Sequence, residues 1–189
     1  VTTPDDLNSA LNDARIMITS THRSQADYFL LVSVLHYLGV DNLRFAAGDN
    51  LTNLPLIGPK FQNWGAFTVE RDRSNNRSYI VDLCAKTASM MEQEDNIIVF
   101  PEMGRSYKGN MLEMKQVIIT AGILAQAHDP SRKVVYLPCA MSYEVLPELA
   151  WFGLLQKGKK MRKPDNPFLQ KLLGSVFYFG ADLIAFGKF

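Results

Sequence analysis

The sequence has 189 residues, of which 47% are hydrophobic and 21% are charged, a composition typical of a globular domain and not of a disordered chain. With 20 basic and 19 acidic residues the formal net charge is +1, so the overall charge gives no reason to expect a nucleic-acid partner. The two cysteines, Cys84 and Cys139, form no CxxC pair, which argues against a disulfide scaffold or a metal site and favours a reducing compartment.

No apolar stretch of the sequence reaches the roughly 18 residues that a membrane-spanning helix needs. The chain begins with Val1 and shows no secretory signal pattern. We therefore expect a trimmed or processed piece of a longer protein, in which an upstream anchor could be missing.

Predicted strands and helices alternate along the chain. Short apolar runs bounded by turn residues indicate strands, and longer segments with apolar residues at helical spacing indicate helices. In chain order the predicted elements are strand 14–20, helix 24–40, strand 43–48, a short helix within 54–65, strand 66–70, helix 77–93, strand 96–102, helix 113–127 and a buried strand 133–141. Residues 175–186 are expected to add one or two strands. The alternation predicts a single α/β domain over residues 1–189, with a mostly parallel central sheet flanked by helices.

Chemically active side chains follow three of the predicted strands. His22 follows the first strand, Arg71 follows the third, and Glu102 and Arg105 follow the fourth. Ligands of open parallel sheets bind at the carboxyl ends of the strands. We therefore expect these four side chains at one edge of the sheet.

The segment STHRSQADY, residues 20–28, has two compatible interpretations. Ser24 and Asp27 fit a capping box, with Ser24 as N-cap, which stabilises a helix by about 1 kcal/mol. Alternatively, His22 in the turn and Asp27 in the first helical turn converge, so that the carboxylate fixes the imidazole tautomer. The other ring nitrogen is then free to take a proton from an alcohol. His36, on an apolar helix face, is expected to pack rather than react.

Four segments in order resemble the motif blocks of the glycerolipid acyltransferases that carry an H-x4-D motif. The segments are THRSQADYF (21–29), AAGDNLTNLPLIGPKFQNWGAFTVER (46–71), VFPEMGRSYKGNMLEMK (99–115) and VVYLPCAMSYEVLPE (134–148). The sequence is most similar to the branch that acylates glycerol-3-phosphate or dihydroxyacetone phosphate. The resemblance covers roughly residues 15–148 and implies the fold of that branch.

The resemblance implies a reaction in which an acyl group moves from a CoA or acyl-carrier-protein thioester to a hydroxyl of a phosphorylated glycerol. His22 would be the general base and Asp27 its partner. The residues that the resemblance, or their charge, assigns to acceptor binding are Arg71, Glu102, Gly104, Arg105, Ser106 and Lys108. Pro138 would contact the acyl donor or serve packing. No cofactor or metal is expected beyond the thioester co-substrate.

The same residues also have simpler interpretations. Arg71 could be a solvated surface charge, Glu102 and Arg105 a local surface ion pair, and Pro138 a strand terminator. The chain departs from the family pattern at Met103, where glycine is usual, and at Glu70, where an arginine is common. A side chain at Met103 could narrow the site or alter the backbone of the loop, whereas the carboxylate of Glu70 lowers the local positive charge and bears on the identity of the acceptor.

Residues 149–179 have the composition of a segment that lies on an anionic membrane surface. Apolar residues flank a basic cluster, and the predicted membrane-facing residues are Trp151, Phe152, Lys157, Lys159, Lys160, Arg162 and Lys163. An ordinary solvated loop, or a docking patch for an acidic acyl carrier protein, would fit the same residues. We expect a location on the cytoplasmic side of a membrane, peripheral or through a missing anchor.

Two further functions stay open. Lysophosphatidate could be the acceptor instead of glycerol-3-phosphate, because the candidate acceptors differ by small groups. A lipid- or phosphate-binding module on the same fold, without catalysis, would also fit the changes at Met103 and Glu70. A serine hydrolase is disfavoured, since the sequence has no GxSxG elbow.

Overall fold

The structure is a computed structural model of the chain. It describes residues 11, 14–24, 26–53, 55, 58–102, 104 and 110–143, apart from the side chain of Arg71. Several predictions fall outside these residues: Met103, Arg105, Ser106, Lys108, the membrane-facing segment 149–179 and the strands within 175–186.

Parallel strands form one sheet in the described part of the chain. They are β1 (Arg15–Ser20), β2 (Leu43–Gly48), β3 (Ala66–Val69), β4 (Asn96–Val99) and β5 (Val134–Cys139). Their order across the sheet is β3-β2-β4-β1-β5, and every neighbouring pair runs parallel. β1 therefore lies between β4 and β5. The predicted α/β class with a parallel central sheet is confirmed.

Helices connect the strands, as parallel pairing requires. They are α1 (Asp27–Tyr37), α2 (Asp49–Thr52), α3 (Gly58–Asn63), α4 (Arg77–Glu92) and α5 (Val117–His128), with a short 3-10 turn at Arg71–Arg73. Among these described helices, none combines the length and apolar character that crossing a membrane requires.

The core has two halves, one on each face of the sheet. Alternation along β1 sends Ile16 and Ile18 to one face and Met17 to the other, and all three side chains are at most 3% exposed. The first face packs on α1 and α3, through Leu31, Leu35 and Phe61. The second packs on α4 and α5, through Leu83, Met91, Ala121 and Ala125. A three-layer arrangement, helices–sheet–helices, follows.

Helix α1 is shorter than the sequence indicated, since it runs from Asp27 to Tyr37 and not over 24–40. Its end is a Schellman motif: Val40 N–H donates to Leu35 O at 2.9 Å and Gly39 N–H donates to His36 O at 3.0 Å. Gly39 has φ +81°, a left-handed conformation that stops the helix. The apolar pattern continues through Val40 because that side chain returns to the core.

Two packing predictions are wrong. β5 was expected to be buried, but its residues are all partly or fully exposed because β5 lies at the edge of the described sheet. His36 was expected to pack in the core, but its side chain is 74% exposed and pairs with Asp41. It directly follows Leu35 in α1, and one residue turns the helix by about 100°, away from the face that Leu31 and Leu35 bury.

Candidate active site

The turn between β1 and α1 lies at the carboxyl edge of the sheet. Thr21 N–H donates to Cys139 O at the end of β5, at 3.4 Å, and Thr21 Oγ1 accepts from Met141 N–H at 3.2 Å. Since β1 lies between β4 and β5, segments that follow all three strands meet at this turn.

His22 and Asp27 form a buried pair in this turn. His22 Nδ1 lies 2.9 Å from Asp27 Oδ2, within hydrogen-bonding distance. His22 is 6% exposed and Asp27 is fully buried. The convergence that the second interpretation of residues 20–28 required is therefore observed, because His22 lies in the turn and Asp27 opens the helix.

Asp27 is held in place by several donors. Its Oδ2 atom accepts from the backbone N–H of Arg23 at 2.6 Å and of Ser24 at 2.9 Å, and its Oδ1 atom accepts from the Tyr143 hydroxyl. A buried carboxylate needs such donors to stay in place without water. Its position at the start of α1 also suits the positive end of the helix dipole.

The capping interpretation is realised in part. Asp27 reaches back to the N–H of Ser24 at 2.9 Å, as a capping box requires. The Ser24 hydroxyl accepts from Ala26 N–H at 3.0 Å, not from the N–H of Asp27. One carboxylate therefore both stabilises the start of α1 and orients His22.

Aromatic rings fix the plane of the His22 imidazole. The Phe100 ring centre lies 4.6 Å from that of His22, tilted by 34°, and Tyr28 contacts it edge-on at 5.3 Å. Nε2 of His22 makes no hydrogen bond to any residue that the structure describes. With Nδ1–H donating to Asp27, Nε2 has a lone pair that can accept a proton from a bound hydroxyl.

Glu102 is a buried residue, not part of a surface ion pair. It is 7% exposed; its Oε1 atom accepts from His22 N–H at 3.3 Å and its Oε2 atom from Leu112 N–H at 2.9 Å. The alternative that placed Glu102 on the surface is wrong, since the chain turns inward after β4. Glu102 ties the His22 turn to the segment that leads to α5, and its role in acceptor binding stays a prediction.

Tyr143 is a site residue that sequence analysis missed. Its hydroxyl donates to Asp27 Oδ1 across 116 residues of sequence. It belongs to the fourth motif block, and its proximity to the His22 turn depends on β5 lying next to β1. The motif block is recognisable in the sequence, but the order of the strands is not, so this contact could not be predicted.

Arg71 lies at the same edge of the sheet but farther along it. It opens the 3-10 turn directly after β3, three strand positions from β1, or roughly 14 Å at ordinary strand spacing. Nearby, Glu70 pairs with Arg73 at 3.5 Å, and the Arg73 guanidinium lies 4.8 Å from the centre of the Tyr79 ring. The Glu70 carboxylate thus has a local counter-charge.

The remaining predicted residues have simple placements. Gly104 has room for a side chain, since an added Cβ would lie 3.9 Å from Glu102 O and from Leu112 Cδ1. Pro138 lies opposite Thr19 within β5, and the strand continues to Cys139, so Pro138 does not end it. Roles of Gly104 in acceptor binding and of Pro138 toward the donor stay predictions.

The two cysteines are partly buried, and burial raises the pKa of both the Cys84 and the Cys139 thiols. A thiol with a raised pKa holds less thiolate at neutral pH and is a weaker nucleophile. Cys139 ends β5 beside the His22 turn, yet its chemistry favours a packing role.

The parallel α/β sheet carries an oriented histidine at its carboxyl edge. This arrangement is typical of domains in which a histidine acts as a general base on a bound hydroxyl and no side chain of the protein is the nucleophile. The sequence matches the family model described as Acyltransferase over residues 1–142, and the chain belongs to this acyltransferase family.

Curated relatives agree with this assignment. The chain is 28% identical over 179 residues to a protein named glycerol-3-phosphate acyltransferase from Haemophilus influenzae (strain PittEE). It is 27% identical over 179 residues to the protein of the same name from Glaesserella parasuis serovar 5 (strain SH0165). Each match covers 95% of this chain and 22% of the relative, so the chain spans about a fifth of the length of these relatives.

Proposed function

We propose that this domain transfers a fatty acyl group from a thioester to a hydroxyl of glycerol-3-phosphate in glycerolipid synthesis. The observation that carries the proposal is the buried contact of 2.9 Å between His22 Nδ1 and Asp27 Oδ2. The name shared by the curated relatives supports glycerol-3-phosphate as the first acceptor to test. Dihydroxyacetone phosphate and lysophosphatidate are the other candidates.

In the proposed mechanism His22 Nε2 takes the proton of the acceptor hydroxyl as its oxygen attacks the thioester carbonyl. Asp27 holds the tautomer and stabilises the positive charge that develops on the imidazole. Collapse of the tetrahedral intermediate breaks the carbon–sulfur bond, and the imidazolium returns its proton to the leaving thiolate. The acyl group moves directly, without a covalent enzyme intermediate.

The acceptor phosphate requires fixed positive charge. We assign that role to Arg71, together with Arg105 and Lys108, because an arginine binds phosphate through two parallel hydrogen bonds. Backbone amides near Gly104 would stabilise the oxyanion. The donor is an acyl-CoA or an acyl-carrier-protein thioester. Because the acyl chain is apolar, we expect the transfer to take place at a membrane surface.

The test is an acyl-transfer assay that combines the three acceptors with both donors. His22→Ala should reduce turnover by at least about 100-fold, because general-base catalysis contributes roughly that much or more. His36→Ala is the matched control, since His36 is exposed and pairs with Asp41 away from the site. Circular dichroism verifies that both variants stay folded.

Two outcomes would contradict the proposal. One is near-normal thioester consumption by folded His22→Ala. The other is binding of phospholipid by the wild-type chain without acyl transfer to any of the three acceptors, which would indicate a binding module instead.

A further inference from the structure

We infer that Tyr143 is a positioning residue for the histidine–carboxylate pair, and that the segment after β5 orients the base by fixing the carboxylate behind it. The inference rests on the proposed function, because it assigns a task within that site. It concerns the only described side chain outside the turn and α1 that donates to Asp27.

The donors around Asp27 are unevenly shared between its two oxygens. Oδ2 accepts hydrogen bonds from His22 Nδ1 and from the backbone N–H groups of Arg23 and Ser24, whereas Oδ1 accepts one from the Tyr143 hydroxyl. Asp27 is fully buried, so its carboxylate depends on protein donors in the folded site. Without the hydroxyl, Oδ1 would be buried with no donor in the described structure.

A carboxylate in that state has a physical reason to rotate. An unsatisfied buried acceptor is costly in free energy. Rotation of the Asp27 carboxylate would reduce this cost, because the donors that now meet at Oδ2 would then be shared between both oxygens. The backbone donors of Arg23 and Ser24 are fixed by the start of α1, whereas the contact to His22 joins two side chains. The bond to Nδ1 is therefore the one that weakens.

The segment that carries Tyr143 is itself attached to the turn. Met141 N–H donates to Thr21 Oγ1 at 3.2 Å, and Thr21 N–H donates to Cys139 O at 3.4 Å. Thr21 directly precedes His22, so the same segment holds the turn at its start and the carboxylate at its end. Three contacts thus fix one segment against the base and its partner.

The other polar groups around His22 do not duplicate this task. Glu102 contacts the backbone N–H of His22 at 3.3 Å and not its ring. Tyr28 contacts the imidazole edge-on through its ring. Arg23 bonds Asp27 through its backbone, while its guanidinium donates to Asn110 O. None of these three contacts reaches Asp27 Oδ1.

The experiment compares Tyr143→Phe with Tyr136→Phe. Both lose only a hydroxyl, and Tyr136 donates to Ile119 O in helix α5, not to the histidine–carboxylate pair. We expect Tyr143→Phe to lower kcat about tenfold with KM nearly unchanged. The effect should be smaller than the loss of the general base itself, which contributes about 100-fold or more. Tyr136→Phe should keep wild-type kinetics.

A spectroscopic readout separates positioning from a merely structural role. The chain has 3 histidines, so the Nδ1-bound proton of His22 can be assigned by nitrogen-15 NMR with His22→Ala as reference. Tyr143→Phe should shift this resonance upfield, as expected for a weaker bond to the carboxylate, and Tyr136→Phe should leave it in place. Thr21→Val removes the acceptor of Met141 N–H and should shift the His22 resonance in the same direction. This variant is the alternative test if Tyr143→Phe does not fold.

The two proposals fail in different ways. If the wild-type chain transfers no acyl group, the proposed function fails while the resonance shift still tests the contact between Tyr143 and Asp27. If the wild type is active, but folded Tyr143→Phe keeps its kcat and its His22 resonance, the positioning role is overturned.

Discussion

At the scale of single residues, Glu102 joins two backbone segments of the site. One of its oxygens accepts from His22 N–H and the other from Leu112 N–H. Glu102→Gln should destabilise the fold by about 1–3 kcal/mol, because the new amide nitrogen cannot accept from the N–H that it faces. Urea unfolding measures this loss, and steady-state kinetics should show a lower kcat with little change in KM.

Glu113→Gln is the control, because the Glu113 side chain is 84% exposed and pairs with Lys115 in solvent. A raised KM for the acceptor with an unchanged kcat in Glu102→Gln would contradict positioning and would place this carboxylate in acceptor binding.

Spacing along the chain is enough to anticipate the pairing of His22 with Asp27, because both belong to one turn and one helix start. The same reasoning fails for Tyr143 and Glu102, whose partners are 116 and 80 residues away. Such contacts depend on which strands are neighbours. The prediction for His36 is wrong for another reason: when most of a helix sequence is apolar, the pattern does not indicate which face of the helix packs on the sheet.

At the scale of elements, Gly65 sets the approach of β3 to β2. It has φ +98°, its carbonyl accepts from Phe45 N–H at 3.1 Å, and an added Cβ would lie 2.2 Å from Leu43 O. Gly65→Ala should therefore lower the free energy of unfolding by about 2 kcal/mol or more, since backbone strain alone costs 1–3 kcal/mol. Thermal unfolding provides the measurement.

Gly39→Ala makes a matched comparison, because Gly39 also has a positive φ, +81°, but lies exposed at the end of α1. It should lose less stability than Gly65→Ala. Equal losses would mean that the close approach to Leu43 adds nothing to the strain of the backbone.

Element type is well specified by local sequence, whereas element limits are not. β2 was placed at its observed limits because turn residues bound its apolar run on both sides. α5 begins at Val117 and not at 113, since the preceding residues bond elsewhere: Lys115 N–H donates to Pro101 O. The one-turn helix α2 went unpredicted because four residues show no periodicity.

At the scale of the whole molecule, one ion pair links the sheet to its second helical layer. Arg15 in β1 is 3% exposed and pairs with Asp129, which follows α5. Hydrogen bonds from the Ser131 side chain, and then from Arg15, lower the pKa of Asp129 from its usual 3.8. The folded state therefore gains stability from this carboxylate above pH 3.8 and loses it as the pH falls through the lower folded-state pKa.

Asp129→Asn should consequently lower Tm at pH 7, because the buried guanidinium of Arg15 loses its counter-charge. The difference from wild type should begin to shrink as the pH falls below 3.8 and should continue to shrink through the lower folded-state pKa, where the folded wild type loses the same charge. Circular dichroism melts from pH 7 to pH 3 measure both effects, with Asp82→Asn on the exposed face of α4 as control. A Tm difference of equal size at both ends of this pH range would exclude the linkage.

The position of β1 between β4 and β5 has a consequence for biosynthesis. Met17 pairs with Ile97 on one side and with Tyr136 on the other, so β1, the first of the described strands, obtains its neighbours only after much later residues have been synthesised. Long-range pairing of this kind makes assembly slow. A nascent chain therefore contains the imidazole long before it contains Met141 and Tyr143, which contact Thr21 and Asp27 beside it.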